Sequence, residues 1–348
     1  METRVCRLYA PHDIRIERQP VEELRAGEVL VRIGAGGICG SDLHYYHDGG
    51  FGPIRVREPI ILGHEVAGTI DAVGDAVKNL APGDRVALNP SRPCNECVYC
   101  RQGLRQHCLN MRFYGSALRF PHEQGGFRDL VVAESFQCEK IGAETSLAEA
   151  AVAEPLAVCL HALARAGAVK GKRVLITGAG PIGVLTAAAC TLAGASEIVV
   201  TDLQDAVLEV ARAMGATKTV NVVREAEALD PYGAAKGVFD LAFECSAAGP
   251  ALASAIQTVR PQGTIVQLGV TGELPIPANL LVGKEINLIG SHRFDAEFAE
   301  AVRLVDRRAI DVRPIISSSY PLEEAEAAFA HAGDRTRAVK VQLTFAEG

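Results

Sequence analysis

Arg173–Thr177 (RVLIT) runs directly into residues 178–183 (GAGPIG), and a second apolar run, 197–201 (EIVVT), follows and ends on Asp202. RVLIT is apolar without alternation, as expected of a strand buried on both faces. The hexapeptide matches G-x-G-x-x-G, a weak pattern by itself. Here a strand precedes it, an apolar helix follows, and an acidic residue closes the next strand, which is the context that gives the pattern meaning. Gly178 would permit the tight turn, Gly180 would let the backbone approach a pyrophosphate, and Gly183 would let helix and strand pack closely. Pro181 and Ile182 open the helix, whose free N–H groups and partial positive charge suit phosphate.

Asp202 lies 19 residues beyond Gly183. Its carboxylate can accept hydrogen bonds from the adenosine ribose hydroxyls and would repel a 2′-phosphate. No Arg or Lys occurs between Thr201 and Val210 to neutralise such a phosphate. The pattern therefore favours NAD over NADP. The alternative is a structural glycine turn with Asp202 as a helix cap.

Working outward, helix 204–214 stops at Gly215, a suitable C-cap. Runs 218–222 (KTVNV), 239–243 (FDLAF), 264–268 (TIVQL) and 286–289 (INLI) continue the series. Strands alternating with helices predict an α/β doubly wound parallel sheet over residues 153–290. The first 150 residues read as β structure rich in turns, with strands at 28–33 (EVLVRI), 65–73 (EVAGTIDAV) and 85–88 (RVAL) and no long amphipathic helix. Residues 147–168 read as helix. The tail, 291–348, carries a short helix at 323–332 and a final strand at 338–344. Residues 174–196 are uncharged and of membrane-span length, but four Gly or Pro residues in their first half make them a strand, a turn and a helix. No membrane partner is expected.

The 348 residues carry 35 Lys+Arg against 42 Asp+Glu, a net charge of −7, which argues against nucleic acid as a partner. Hydrophobic residues at 48% and charged residues at 22% exclude a disordered chain. Ten cysteines stand out. Residues 1–13 hold no apolar run, so a cytoplasmic setting is expected, where thiols stay reduced and clustered cysteines more often bind metal than form bridges.

Cys94, Cys97, Cys100 and Cys108 give C-x2-C-x2-C-x7-C in a lobe at about 90–110. Four thiolates this close can surround one tetrahedral Zn²⁺, and a shell so filled leaves no open position, so this metal would be structural. An iron–sulfur cluster is the chemical rival.

Cys39 in residues 36–44 (GGICGSDLH), His64 and Glu65 in 63–68 (GHEVAG), and Glu154 in 153–157 (AEPLA) could each be ordinary residues. Together these segments, with 63–77 (GHEVAGTIDAVGDAV), resemble the zinc-dependent medium-chain alcohol and polyol dehydrogenases. The resemblance covers essentially the whole chain and is strongest toward the sugar-acid and sorbitol dehydrogenase group. It implies a GroES-like, barrel-like catalytic domain built from 1–152 and 291–348, the Rossmann NAD-binding domain at 153–290, and an active site in the cleft between them. It implies two zinc ions per chain, the catalytic one held by Cys39, His64 and Glu65 or Glu154. Zn²⁺ with one thiolate, one imidazole and one carboxylate is neutral, and a second carboxylate would make the set anionic. Glu65 as the inner ligand with Glu154 bridged by water is favoured on that count; Glu65 acting only from outside is the alternative.

The activity implied is reversible hydride transfer from a secondary carbinol of a sugar acid or polyol to NAD⁺. Zinc can lower a bound water's pKa from 15.7 to about 7. At about 1.4 kcal/mol per unit that is roughly 12 kcal/mol of differential stabilisation. Ser41 and His44 match the family's proton relay, or are a turn residue and a surface histidine. Tyr45 and Arg293 match polyol contacts, and Phe294 departs from the group, which often has Tyr there. Leu268, Gly269, Val270, Ser291 and His292 would border the nicotinamide. A sugar acid needs a cationic partner, for which Arg293, Arg112 and Arg119 are candidates. A neutral-polyol dehydrogenase, a non-catalytic zinc- and dinucleotide-binding protein, and a zinc hydrolase are the rival functions; the last lacks a H-E-x-x-H helix. Relatives imply a homodimer or homotetramer.

Overall fold

A computed structural model of the chain describes residues 1–270 and 272–345; Ala346–Gly348, the end of the expected 291–348 segment, lie outside the described residues. The N-terminal part is β-rich, with β1 (Glu2–Ala10), β2 (Asp13–Pro20), β3 (Glu28–Gly37), helix α1 (Gly40–Asp48), β4 (Glu65–Val73), β5 (Arg85–Leu88), β6 (Leu130–Glu134) and β7 (Cys138–Lys140). Helix α1 is a departure from the sequence reading. Its buried residues are Asp42, Tyr45 and Tyr46, so its inward stripe is too polar to register as an amphipathic pattern.

Residues 147–168 form two helices, α2 (Leu147–Ala151) and α3 (Ala153–Ala166), rather than one. Pro155 has no N–H to offer the Ala151 carbonyl, and its ring crowds that position. Both helices are mostly buried in the core, although together they are apolar and long enough to span a membrane by composition.

The dinucleotide half follows as β8 (Arg173–Thr177), α4 (Pro181–Leu192), β9 (Glu197–Asp202), α5 (Asp205–Ala213), β10 (Lys218–Asn221), β11 (Phe239–Glu244), α6 (Gly249–Thr258), β12 (Val259–Gln267) and β13 (Asn287–Gly290). The strand order is β10-β9-β8-β11-β12-β13, with every pair parallel. The expected doubly wound sheet is therefore present. Alternate residues of β8 feed two cores: Val174 and Ile176 face α3 and α4, and Leu175 faces α6. β12 starts five residues before the sequence reading because it continues through Gln262, which takes a left-handed φ of 58°.

The chain then returns through α7 (Glu297–Asp306), β14 (Ile316–Pro321), α8 (Ala325–Gly333) and β15 (Lys340–Thr344) to the first sheet. That sheet runs β7-β5-β4-β3-β15-β14, with β6 also paired to β3. Pairing of Gln342 with Gly37, and of Gly37 with Glu65, lays the last strand beside the two that carry the candidate metal ligands. Helix α3 packs on α4, α7 and β4, so the two halves share one apolar core.

Candidate active site

Cys39 ends the β3 hairpin arm and caps α1. Its N–H donates to Asp42 Oδ2 at 3.0 Å, and Asp42 Oδ1 accepts from Gly63 N at 3.3 Å. The same Oδ1 lies 3.7 Å from His64 Nδ1. Asp42 is fully buried and thus fixes both neighbours at once. A carboxylate behind a metal-binding imidazole sets its tautomer and ring orientation. Sequence reasoning passed over Asp42, although an acidic residue three positions after an N-cap was the signal available.

Ligand atoms of Cys39, His64 and Glu65 lie within 4.8 Å of one another. Glu65 leads β4, and Gly37 opposite it has no Cβ, which would collide with Glu65 Oε2. Lys340 from β15 donates to both Glu65 oxygens at 2.7 Å and to Ile38 O at 3.1 Å. Glu154, in the first turn of α3, is buried and close enough to feel all of these charges. Burial first, and then the Glu65 charge, pushes Cys39 up to about 12. Burial likewise pushes Glu154 up to about 8, with Glu65 and Cys39 adding to the shift. Buried acids around one imidazole are a donor set that a divalent cation fits by displacing protons. The count that disfavoured a second carboxylate leaves out two buried charged side chains beside the cluster, Lys340 and Asp42.

Ser41 and His44 stand one helical turn apart on α1. Ser41 is half-buried and His44 exposed, with its Nδ1 at 3.4 Å from Asp48 Oδ2. Tyr45 is buried and its hydroxyl accepts from Ala117 N at 3.1 Å. Burial lowers Arg293, while the charges of Glu154 and Tyr45 act on it in the opposite sense. Arg112 and Arg119 lie elsewhere. They border a groove beside Cys94 and Glu96, where Arg112 pairs with Glu123 and Arg119 reaches Asn110 O. Phe294 is 1% exposed and stacks on Phe298, so a tyrosine hydroxyl there would enter the core rather than the cleft.

The four cysteines of the lobe also have sulfurs within 4.8 Å of one another. The Cys97–Cys100 and Cys94–Cys108 pairs are 3.5 Å apart, far beyond a disulfide bond of about 2.05 Å. A tetrahedron with metal–sulfur bonds of about 2.3 Å has edges of about 3.8 Å, close to what is seen. Backbone N–H groups of Cys100 and Leu109 lower Cys97 to about 6, which favours the thiolate.

In the glycine turn, Gly178 has φ 92°, and a Cβ there would meet Ser246 N at 2.9 Å. A Cβ on Gly183 would strike the Gly178 carbonyl. Pro181 and Ile182 begin α4, capped by Gly180. Asp202 Oδ2 accepts from Ala179 N at 2.7 Å, and Oδ1 accepts from Leu203 N at 2.7 Å and Gln204 N at 3.1 Å. Leu268 and Gly269 donate to Glu244 O, Val270 is exposed, and Ser291 and His292 follow β13. Ser291 Oγ and Gln267 Oε1 are buried at the carboxyl ends of β13 and β12 with no partner among the described residues. Orphaned polar atoms at that end of a parallel sheet fit a dinucleotide.

The sequence near Asp202 offers nothing to balance a 2′-phosphate; Arg335, from the segment after α8, lies over Gly180, where the turn would approach a pyrophosphate, and within reach of the Asp202 charge. A cation 133 positions away in sequence from Asp202 is invisible to a local count.

Residues 25–143 match the family of the alcohol dehydrogenase GroES-like domain, and residues 181–307 match that of the zinc-binding dehydrogenases. L-idonate 5-dehydrogenase (NAD(P)(+)) of Escherichia coli (strain K12) is 40% identical over 346 residues, covering 99% of both chains. Sorbitol dehydrogenase of Pongo abelii is 34% identical over 330 residues, covering 92% of this chain and 90% of the relative. The crystal structure of the L-idonate 5-dehydrogenase from Escherichia coli str. K-12 substr. MG1655 superimposes with a TM-score of 0.95 over 99% of each chain, at 40% identity. A GroES-like half, a parallel dinucleotide half and a Cys–His–Glu cluster define an alcohol dehydrogenase class of oxidoreductase. The chain belongs to the zinc-dependent medium-chain dehydrogenase family, in its polyol and sugar-acid group.

Proposed function

We propose that the chain carries out reversible hydride transfer between a secondary alcohol of a sugar acid, of the L-idonate to 5-keto-D-gluconate type, and NAD, with NADP also accepted. The observation that carries this reading is the convergence of Cys39, His64 and Glu65 within 4.8 Å. Arg293, at a position that matches a polyol contact, feels the Glu154 charge and carries a guanidinium that a sugar-acid carboxylate can pair with.

Cys39, His64 and Glu65 would hold one zinc, with Glu154 beside it. Cys94, Cys97, Cys100 and Cys108 would hold a second. Zinc, when bound, makes a hydroxyl more acidic, and the nicotinamide accepts a hydride with its electron pair. Asp42 keeps the His64 ring in place, and Lys340 keeps Glu65 in place. Ser41 Oγ receives the proton that the substrate hydroxyl must lose. His44, one turn along α1 and exposed, passes it to solvent. The carbinol C–H pair leaves as hydride and the O–H proton leaves through this relay, so the products are ketone, reduced coenzyme and one proton. Arg293 offers its guanidinium to the substrate carboxylate.

We take residues 1–152 with 291–348 as the catalytic unit and 153–290 as the coenzyme unit, working as a homodimer or homotetramer in the cytoplasm. Ten free cysteines support a reducing compartment. The outer edge of β13, near exposed Ile276 and Val282, supports self-association.

The test is a substrate panel with the zinc-loaded protein: L-idonate and D-gluconate against sorbitol and xylitol, each with NAD⁺ and NADP⁺. Reduction of coenzyme by a sugar acid at higher kcat/KM than by either polyol supports the reading. Faster oxidation of sorbitol or xylitol replaces it with the neutral-polyol reading, and no turnover of any alcohol removes it.

A further inference from the structure

The four-cysteine lobe reaches the substrate cleft through three side chains. Arg105 Nε donates to both Asp295 oxygens, at 2.9 and 3.0 Å. The His107 ring stacks on His292 with centroids 5.9 Å apart and planes 21° apart. The Phe113 ring lies under the Arg293 guanidinium, with Cζ 4.0 Å from the ring centroid. All three donors of contact flank Cys108, and Phe113 shares an apolar cluster with Cys108 and Met111, packed against Cys94, Cys97 and Cys100. Their targets are residues 292, 293 and 295 of one short loop after β13.

Arg293 is a residue that must be held. Its φ is 53°, in the left-handed region that a residue with a Cβ rarely adopts. Among the described residues no hydrogen bond or ion pair engages its guanidinium, and the face of Phe113 is what it rests on. An aromatic face attracts a cation without occupying its N–H groups. A carboxylate in the same place would consume the fork that a substrate carboxylate needs. The Phe113 ring also lies 5.4 Å from the His64 ring, so it spans from the substrate cation to the candidate metal cluster.

We infer that the cysteine lobe is a latch for the substrate loop: Phe113, with Arg105 and His107, positions Arg293 so that its donors face an anionic substrate. The lobe then sets substrate affinity as well as stability. This rests on the reading of Arg293 as the partner of a substrate carboxylate. Phe113, Arg105 and His107 are positioning residues and touch no reacting atom.

The experiment uses the full zinc-loaded chain and compares Phe113→Leu, which keeps apolar bulk without the ring, with Phe113→Tyr, which keeps the ring. Hydrogen exchange of the peptide covering residues 290–296 is measured beside steady-state kinetics with L-idonate and with sorbitol. In Phe113→Leu, exchange in that peptide rises and KM for L-idonate rises about tenfold. Its kcat changes less than KM, KM for sorbitol rises less than KM for L-idonate, and zinc per chain matches the wild type. Phe113→Tyr restores both readouts. Should Phe113→Leu fold poorly, the double variant Arg105→Ala/His107→Ala, which removes exposed or half-exposed contacts, is expected to move both readouts in the same direction by a smaller factor. Unchanged exchange at 290–296, or an equal rise in KM for both substrates, overturns the latch. If the wild type oxidises neither substrate, the proposed function fails while the exchange comparison still decides the latch.

Discussion

The Lys340 ammonium donates to both carboxylate oxygens of Glu65 at 2.7 Å, with each side chain 1% exposed. Residues at opposite ends of the chain thereby form one buried ion pair directly beside Cys39 and His64. The pair fixes one carboxylate of the candidate cluster, and its positive charge favours the ionised form of Glu154. Removing one partner of a buried pair is strongly destabilising because it strands the other charge.

Lys340→Met therefore costs about 3–5 kcal/mol in the zinc-free protein. The loss is smaller with zinc bound, because the metal then balances Glu65. Thermal unfolding with and without chelator reads this, and equal losses in both forms refute the coupling.

Glu297 supplies a pH dependence. Its carboxylate lies 2.9 Å from His161 Nδ1 and accepts from Asp295 N at 2.9 Å. Burial opposes its charge, but the hydrogen bonds from His161 and Asp295 prevail and hold it down at about 2. A depressed carboxylate stabilises the fold above its unfolded pKa of about 4.3. That stability is lost as pH falls from there toward about 2. Allowing for partial exposure, the contribution is about 2 kcal/mol. Glu297→Gln flattens the acid limb of an unfolding profile in that window, and an unchanged limb counts against the assignment.

Asp202 and Arg335 act on different parts of the coenzyme. Asp202→Ala weakens NADH more than NADPH by about 10- to 100-fold, as expected for hydrogen bonds to charged groups, whereas Arg335→Gln, over the glycine turn, weakens both coenzymes. Titration of both reduced coenzymes against the two variants decides this, and equal losses of NADH and NADPH in Asp202→Ala remove the 2′-position from the explanation.

Much of this was open to inspection in the chain. GAGPIG between two apolar runs is a local pattern, and so is the cysteine spacing of the lobe. Both form from neighbours in sequence, and both stand where the residues indicated. Cys39, His64 and Glu65 were recognised by resemblance, and the sheet registry brings them together. What stayed hidden depends on long-range pairing. Lys340 meets Glu65 only because β15 returns beside β3, and Arg335 covers Gly180 only because α8 ends above the turn. Phe113 carries Arg293 only because the loop after β13 folds over the cysteine lobe. Helix α1 was missed because its inward stripe is an aspartate and two tyrosines.

Cys100→Ser tests the lobe by metal removal. Zinc falls by one ion per chain and the unfolding midpoint drops, while NADH binding persists. Retention of both metals removes Cys100 from the shell.

The most direct measurement is made on Cys39→Ala, with coenzyme reduction by L-idonate, NADH affinity and zinc content determined on the same preparation. The account predicts that turnover disappears and one zinc per chain is lost, while NADH binds as it does to the wild type. Turnover at the wild-type rate with the thiolate gone would contradict it.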